Sequence, residues 1–298
     1  MRKINLVYWH GAEPNFGDLL SLFIVSSLTD KITIVDKNLY ILGRKARWIY
    51  QLRMLLFWNL KEYRSILKAN DRNLMCIGSI MHYSNSKTIV WGGGFMMPDQ
   101  VFNGEQVCAV RGKLTRKKLL EQGYNVQKCV LGDPAILLPL IMDLQQVKTH
   151  KIGLIPHYSE FEYFFSKYGN EYFVIDLRSD NIKSIVLDIL SCEYIISTSL
   201  HGIIVAHSYG VPALWAEYSG LEEGTNGFKF YDYFSSVGIN RYSPIRDLDR
   251  VLNDCSDIFR ERMHHALPQI DISKMQIELL TSAPFPLKNT YKKLFREC

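Results

Sequence analysis

The sequence holds no CxxC pair, although it has six cysteines: Cys76, Cys108, Cys129, Cys192, Cys255 and Cys298. Their spacing excludes the thiolate clusters of zinc ribbons and the redox pair of thioredoxin-like proteins. They are scattered through apolar runs, which suits reduced thiols in a cytosolic protein. No uninterrupted apolar stretch approaches the roughly 20 residues that span a bilayer. The opening MRKINLVYWHG carries two positive charges, but its apolar run is short and meets Trp9-His10-Gly11. It reads as a first β-strand rather than a signal peptide. There is no low-complexity segment, no short-period repeat, no nucleic-acid-binding module and no cluster with metal-ligand spacing. Nucleic acid and a bound metal are therefore not expected.

What is present is ordinary for a globular protein: 298 residues, 47% hydrophobic and 22% charged. That length calls for one large domain or two of about 150 residues each. A net charge of +5 leaves two readings open, an affinity for anionic substrates or a lipid surface, and a solvated surface without a message. The densest basic stretch runs from Arg44 to Trp58, where Arg and Lys alternate with Trp, Leu and Phe. It could touch a membrane interface, but a helix packed on its own domain explains the same stripe and is favoured.

Two halves repeat one grammar of short apolar strands alternating with helices. In the first, strands are expected at Ile4–Trp9, Lys31–Val35, Met75–Ile80, Thr88–Gly92 and Val107–Arg111, with helices over Leu19–Leu28 and Leu114–Gln122. In the second, strands are expected at Lys151–Pro156, Tyr172–Asp176, Glu193–Ser197 and Pro212–Ala216. Helices are expected over Ile182–Ser191 and Gly202–Tyr209, and a last one over Ile270–Leu280. Such alternation implies parallel sheets with helices on both faces. The expected fold is therefore α/β, two doubly wound, Rossmann-like domains facing across a cleft. The first covers residues 1–146 and the second 147–270. A helix and tail at 271–298 are expected to pack back on the first. In such sheets the ligand-binding groups sit on loops at the carboxyl ends of strands.

Six of these loops carry candidate chemistry. In Pro14-Asn15-Phe16-Gly17-Asp18 a single glycine excludes a Walker loop or a dinucleotide fingerprint. Asn15 or Asp18 can cap the following helix, a role worth about 1 kcal/mol. Asp18 could also hold a sugar hydroxyl or act as a base. Trp91-Gly92-Gly93-Gly94-Phe95 has more glycine than a turn needs, so Gly92, Gly93 and Gly94 read as a ligand-facing loop with amides open to an anion. Arg111 sits at a strand end, where its planar fork suits carboxylate or phosphate; a structural ion pair is the alternative. Asp133, before Pro134, reads as a helix cap and could orient Arg111. His157 and Tyr158 follow a strand and could line the cleft. In Ser197-Thr198-Ser199-Leu200-His201-Gly202 a strand ends and a helix begins. His201 therefore stands at a helix N-terminus, where it can donate to an anion or move a proton. His207, six positions on, reads as helix packing.

In order and spacing, these motifs resemble the series of the polysaccharide pyruvyl transferase family: Asn15-Phe16-Gly17-Asp18, Trp91-Gly92-Gly93-Gly94-Phe95, Val110-Arg111-Gly112-Lys113, Gly132-Asp133-Pro134-Ala135, Ile155-Pro156-His157-Tyr158 and Ser199-Leu200-His201-Gly202. The similarity continues through Gly227–Tyr233 and Ala283-Pro284-Phe285-Pro286, nearly the whole chain. The resemblance implies a fold like that of GT-B glycosyltransferases, with acceptor bound on the first domain and donor on the second. It implies transfer of the pyruvyl group of phosphoenolpyruvate to two hydroxyls of one sugar, without a cofactor or metal. The product is a cyclic ketal and phosphate. The acceptor would be a cell-surface polysaccharide, exopolysaccharide or capsule, or its lipid-linked precursor, which implies a cytoplasmic protein or one peripheral to the inner face of the membrane. Arg111 matches the family's donor-binding arginine. The family's Arg-Leu-His falls on Ser199-Leu200-His201, so one expected cation is missing. Arg178, Lys229, Arg241 or backbone N–H groups are the candidates to replace it. The resemblance thus assigns His201, Arg111 and Asp18 to catalysis. It assigns Asn15, Gly17, Gly92, Gly93, Gly94, His157, Ser199, Leu200, Gly202 and Lys229 to substrate binding. A nucleotide-sugar glycosyltransferase and a non-catalytic sugar-binding protein stand as alternatives.

Overall fold

A computed structural model describes residues 4–9, 14–35, 72–218, 225 and 227–295. The basic-aromatic stretch Arg44–Trp58 and Cys298 lie outside the described residues. Strands β1 (Ile4–Val7), β2 (Ile32–Val35), β3 (Asn73–Met75), β4 (Thr88–Trp91), β5 (Gln106–Val110) and β6 (Val130–Leu131) form one sheet, in the order β2-β1-β3-β4-β5-β6. Strands β7 (His150–Ile155), β8 (Phe173–Val174), β9 (Cys192–Ser197) and β10 (Ala213–Trp215) form a second, ordered β10-β9-β7-β8. Every pairing is parallel. Parallel strands need helical crossovers, and the apolar content of the central strands, such as Thr88–Trp91 buried at all four positions, fits a sheet covered on both faces.

The strand order reverses between β1 and β3 in the first sheet and between β7 and β9 in the second. Chains leaving opposite faces of a sheet part at such a point and leave a crevice outside the carboxyl ends. Helices α1 (Phe16–Leu28), α2 (Lys113–Glu121), α3 (Phe161–Tyr168), α4 (Ile182–Leu190), α5 (Leu200–Ser208), α6 (Phe228–Ser236) and α7 (Ile272–Thr281) bear on the site. The sequence placed the starts of α1 and α5 two or three residues late, at Leu19 and Gly202. It did not anticipate α6.

One apolar core runs through both halves. Leu6, Phe16, Leu20 and Ile24 join Ile155, Ile195, Ile203 and Ile204, all buried, so α1 and α5 form a shared layer. Along this layer the halves meet directly. Near 25 cal/mol per Å² of apolar surface, such burial dominates what holds them together. The C-terminal helix α7 packs on the first sheet. Trp91 Nε1 donates to Leu279 O at 3.0 Å, and Gln276 Nε2 donates to Ile136 O at 2.8 Å. A cavity of about 480 Å³ opens between the start of β7 and Leu252–Asp257. It lies at the amino end of the second sheet, a strand length of roughly 20 Å from the carboxyl-end loops.

Candidate active site

The two switch points meet at Gly17 and His201. Asn15 caps α1, its Oδ1 accepting from Gly17 N at 3.1 Å. The cap is therefore Asn15, and Asp18 is a half-buried residue of the first turn. Phe16 N donates to Leu177 O at 2.9 Å, which ties this turn to the second half of the chain. Gly17 is buried, and a Cβ there would lie 2.2 Å from His201 Nδ1. Glycine is thus required for close approach: the imidazole of one half lies directly on the backbone of the other.

His201 is set by a braced turn. Ser197 Oγ accepts from Ser199 N at 3.0 Å and donates to Ile155 O at 2.9 Å. Thr198 Oγ1 accepts from His157 N at 2.7 Å and donates to the buried Glu160 carboxylate at 2.5 Å. Ser199 stands at the N-cap position of α5 without a side-chain cap bond. The side chain of Leu200 is in the core, and Gly202 is buried with Ser197 Oγ 2.7 Å from where a Cβ would sit. The Leu200 side chain and the missing Cβ of Gly202 therefore shape the turn, while the backbone amides of both lie in the first turn of α5.

Opposite His201 lies Asp133. Its Oδ1 accepts from Ala135 N at 3.0 Å and caps the short turn Pro134–Leu137, as the sequence suggested. Its Oδ2 faces His201 Nε2 at 3.9 Å. Both atoms are shielded from solvent and have no hydrogen-bond partner. Most buried side-chain polar atoms are paired, and here two that face each other have no protein partner. Burial, then the positive charges of Arg111 and Lys229, push His201 down to about 3. Burial pushes Asp133 up to about 6, against the Ala135 amide and the Arg111 charge. The pair thus combines a neutral imidazole with a carboxyl that titrates close to neutrality, the pattern by which a site keeps a movable proton.

Arg111 is not turned toward an open loop. It is 1% exposed, and each guanidinium nitrogen has a protein partner. Nε donates to Asp232 Oδ2 at 3.1 Å, Nη1 to Ser79 Oγ at 2.7 Å and Nη2 to Phe95 O at 2.7 Å. Asp232, on α6, also accepts from Thr115 N at 2.9 Å and Thr115 Oγ1 at 2.6 Å. The structural ion pair, the alternative reading of Arg111, describes this arrangement. The glycine run serves the same packing. A Cβ on Gly94 would lie 2.6 Å from the Arg111 guanidinium, one on Gly93 3.0 Å from Cys76 O, and one on Gly92 2.1 Å from Pro134 Cδ. Gly92, at φ +91°, also needs the left-handed region. Gly92, Gly93 and Gly94 are buried, and the amides of Gly92 and Gly94 donate to Ala109 O at 2.8 Å and Gly78 O at 3.1 Å, so the run is packed against protein rather than exposed as an open loop.

Of the cations considered for the missing arginine, Lys229 is the one whose charge reaches His201. Arg178 is held by Asp176 and Glu162, at 2.9 and 2.6 Å, and lies 4.2 Å over the Phe161 ring. Arg241 lies 4.5 Å over the Tyr231 ring. His157 shares a hydrogen bond between its Nδ1 and Ser159 Oγ at 2.8 Å. Sequence reasoning missed Asp232, Ser79 and Glu160. Asp232 falls inside a motif, Gly227–Tyr233, that the family resemblance singled out. No group of three His, Cys, Asp or Glu among the described residues is placed to hold a metal.

Two parallel sheets with a buried His–Asp pair at their junction define an α/β protein with acid–base capacity between two switch points. The chain belongs to the polysaccharide pyruvyl transferase family, whose sequence pattern matches residues 15–220. It is 35% identical over 172 residues to the uncharacterized protein L143 of Acanthamoeba polyphaga mimivirus, covering 55% of this chain and 60% of that protein. It is 26% identical over 246 residues to the succinoglycan biosynthesis protein ExoV of Rhizobium meliloti (strain 1021), covering 80% of this chain and 66% of that one. The chain thus matches somewhat less than two thirds of the length of either relative. No helix among the described residues is long and apolar enough to cross a membrane.

Proposed function

We propose that the protein transfers the pyruvyl group of phosphoenolpyruvate to two hydroxyls of one sugar in a polysaccharide or its lipid-linked precursor. The observation that carries this reading is the His201–Asp133 pair: two unpartnered buried polar atoms, 3.9 Å apart, over Gly17 and within reach of two positive charges. Family membership and the similarity to a succinoglycan biosynthesis protein support it. A GT-B-like arrangement, with the acceptor on the Asn15–Asp18 side and the donor on the His201 side, is part of the same proposal.

The chemistry needs a proton delivered to the methylene carbon of the donor and protons removed from two hydroxyls. Protonation turns the methylene into a methyl and leaves an oxocarbenium-like carbon. The first hydroxyl attacks this carbon and loses its proton. The second displaces phosphate and loses its own. One proton in and two out leave the departing phosphate to carry the balance. Burial, with the charges of Arg111 and Lys229, holds His201 neutral when no anion is present. A donor bearing phosphate and carboxylate offsets those charges and raises the imidazole's proton affinity, so donor binding arms the acid. Asp133 supplies the neighbouring carboxyl through which that proton is exchanged. Arg111 acts as a positioning residue, its charge felt at His201 from inside the Asp232–Ser79–Phe95 cage. Lys229 and the N-terminal amides of α5 take the donor's anionic groups. Asp18 serves the acceptor hydroxyls.

The test is incubation with phosphoenolpyruvate and a panel of nitrophenyl and lipid-linked sugars, following phosphate release and the mass of the product. The expected product is heavier by one pyruvyl ketal. Turnover of a nucleotide sugar with no phosphate released from phosphoenolpyruvate would assign the chain to glycosyl transfer instead. Sugar binding without turnover of either donor would make it a binding protein.

A further inference from the structure

The exposed aromatic side chains among the described residues all belong to segments that follow strands of the second sheet. Tyr158 is 38% exposed, Tyr163 39%, Phe165 56% and Tyr218 47%. The first three follow β7, and Tyr218 follows β10. The Tyr163 and Tyr218 rings stack at 4.3 Å and 20°. Phe164, buried beneath them, meets both rings edge-on, at 6.0 and 5.5 Å. The pair is therefore fixed from below while its outer surface stays in water, where single exposed rings need no explanation but a supported cluster does.

Its position follows from the topology. β9 lies between β7 and β10, so the ring pair joins the segments that leave the carboxyl ends of its two neighbours. Ser199 and His201 follow the carboxyl end of β9 itself. The bond from Thr198 Oγ1 to Glu160 locks the β9 turn to the segment that leads into α3 and Tyr163. The nearby charges are paired with one another: Lys167 with Asp249 at 2.8 Å, and Arg178 with Glu162 at 2.6 Å and Asp176 at 2.9 Å. A surface that docks on anionic lipid presents a cationic cluster, and among the described residues this one does not. Tyrosine offers an apolar face and a polar tip, which fits the C–H face and hydroxyl rim of a pyranose.

We infer that the stacked Tyr163 and Tyr218 form a platform for the sugar units of a polymeric acceptor that flank the reacting one. The inference rests on the polysaccharide reading above. It adds a second binding site outside the Gly17–His201 junction, for neutral sugar units.

Affinity electrophoresis tests it, in native gels cast with pyruvate-free succinoglycan, galactan or dextran over a range of concentrations. The wild type should be retarded in at least one gel. The double variant Tyr163→Ser, Tyr218→Ser should bind that polymer about tenfold more weakly, the loss expected of two ring contacts. Tyr163→Phe, which keeps the ring, should bind within about twofold of wild type. Phosphate release from phosphoenolpyruvate with a nitrophenyl monosaccharide should be the same in wild type and double variant. A gel difference without phosphate release in either protein leaves the platform standing and removes the pyruvyl reading. No retardation of the wild type in any gel overturns the platform, as does equal retardation of wild type and double variant. So does loss of binding to phosphatidylglycerol vesicles in the double variant with polymer binding unchanged, which would assign the surface to lipid.

Discussion

Gly17→Ala is the sharpest single perturbation of the junction, because two effects of known sign oppose each other. Gly17 lies inside α1, where alanine is favoured over glycine by about 1 kcal/mol. Its new Cβ, however, would stand 2.2 Å from His201 Nδ1 and 2.9 Å from Cγ. Ordinary contact begins near 3.4 Å, so the ring must retreat by about 1.2 Å, the difference of the two distances. Overpacking of this kind costs about 1–3 kcal/mol, so the net loss of stability is about 0–2 kcal/mol. At about 2–4 °C per kcal/mol for a chain of this size, the melting temperature should fall by less than about 8 °C. Activity should suffer far more. A 1 Å displacement of a catalytic group can cost about a hundredfold, and the ring cannot retreat and keep its present approach to Asp133. The measurement pairs a thermal melt with kcat for pyruvyl transfer. A variant that melts near wild type with kcat down about a hundredfold fits the reasoning. A variant with wild-type kcat would refute it, since it would show that the position of His201 does not matter.

Other predictions follow from the buried groups. Asp232→Ala leaves the Arg111 guanidinium buried and unpaired and should cost about 3–5 kcal/mol in urea unfolding; Arg111→Met with Asp232→Leu should recover most of that. His201 titrates near 3 in the folded chain against 6.5 unfolded, so the unfolded chain binds more protons between those values and stability falls as pH drops through them. Replacing it by Gln should therefore improve stability relative to wild type by about 2–3 kcal/mol at pH 4.5, and by nothing on this account at pH 7.5. Asp133 runs the other way: its folded value near 6 exceeds 3.8, so its contribution is lost as pH rises from about 4 to 6, and Asp133→Asn should remove that slope. The same variant should abolish any kcat dependence on a group titrating near 6. Trp91→Phe removes donation to Leu279 O and Ser282 Oγ and should loosen α7 by about 1–2 kcal/mol, read as faster amide exchange across residues 272–281.

The alternation of strands and helices was legible because period and punctuation are local. The strand-end loops were legible too, since a loop of Asn, Gly, Asp, Arg or His between apolar runs stands out. Which of their side chains face a ligand was not. Arg111 owes its burial to Asp232, 121 residues away, and no local pattern reports a pairing at that distance. The three glycines read as open because glycine permits close approach, but sequence does not say to what. Here it is Pro134, Cys76 O and the Arg111 guanidinium. Asp133 read as a cap because Pro134 follows it, and that is right for Oδ1. Its second oxygen takes meaning only when α5 is laid across α1. Ser199, the missing cation, remains the place where the chain departs from its family's pattern, and Lys229 is the charge nearest in effect to filling it.

The most direct measurement is paired proton and phosphorus NMR of phosphoenolpyruvate with an acceptor sugar, comparing wild type with His201→Ala. Inorganic phosphate and the ketal methyl signal should grow one for one, only when acceptor is present. In His201→Ala both rates should fall by at least about a hundredfold, the scale of a lost general acid, with the melt unchanged or raised. Phosphate without ketal, or a His201→Ala enzyme at the wild-type rate, would contradict the assignment of His201 to the reaction.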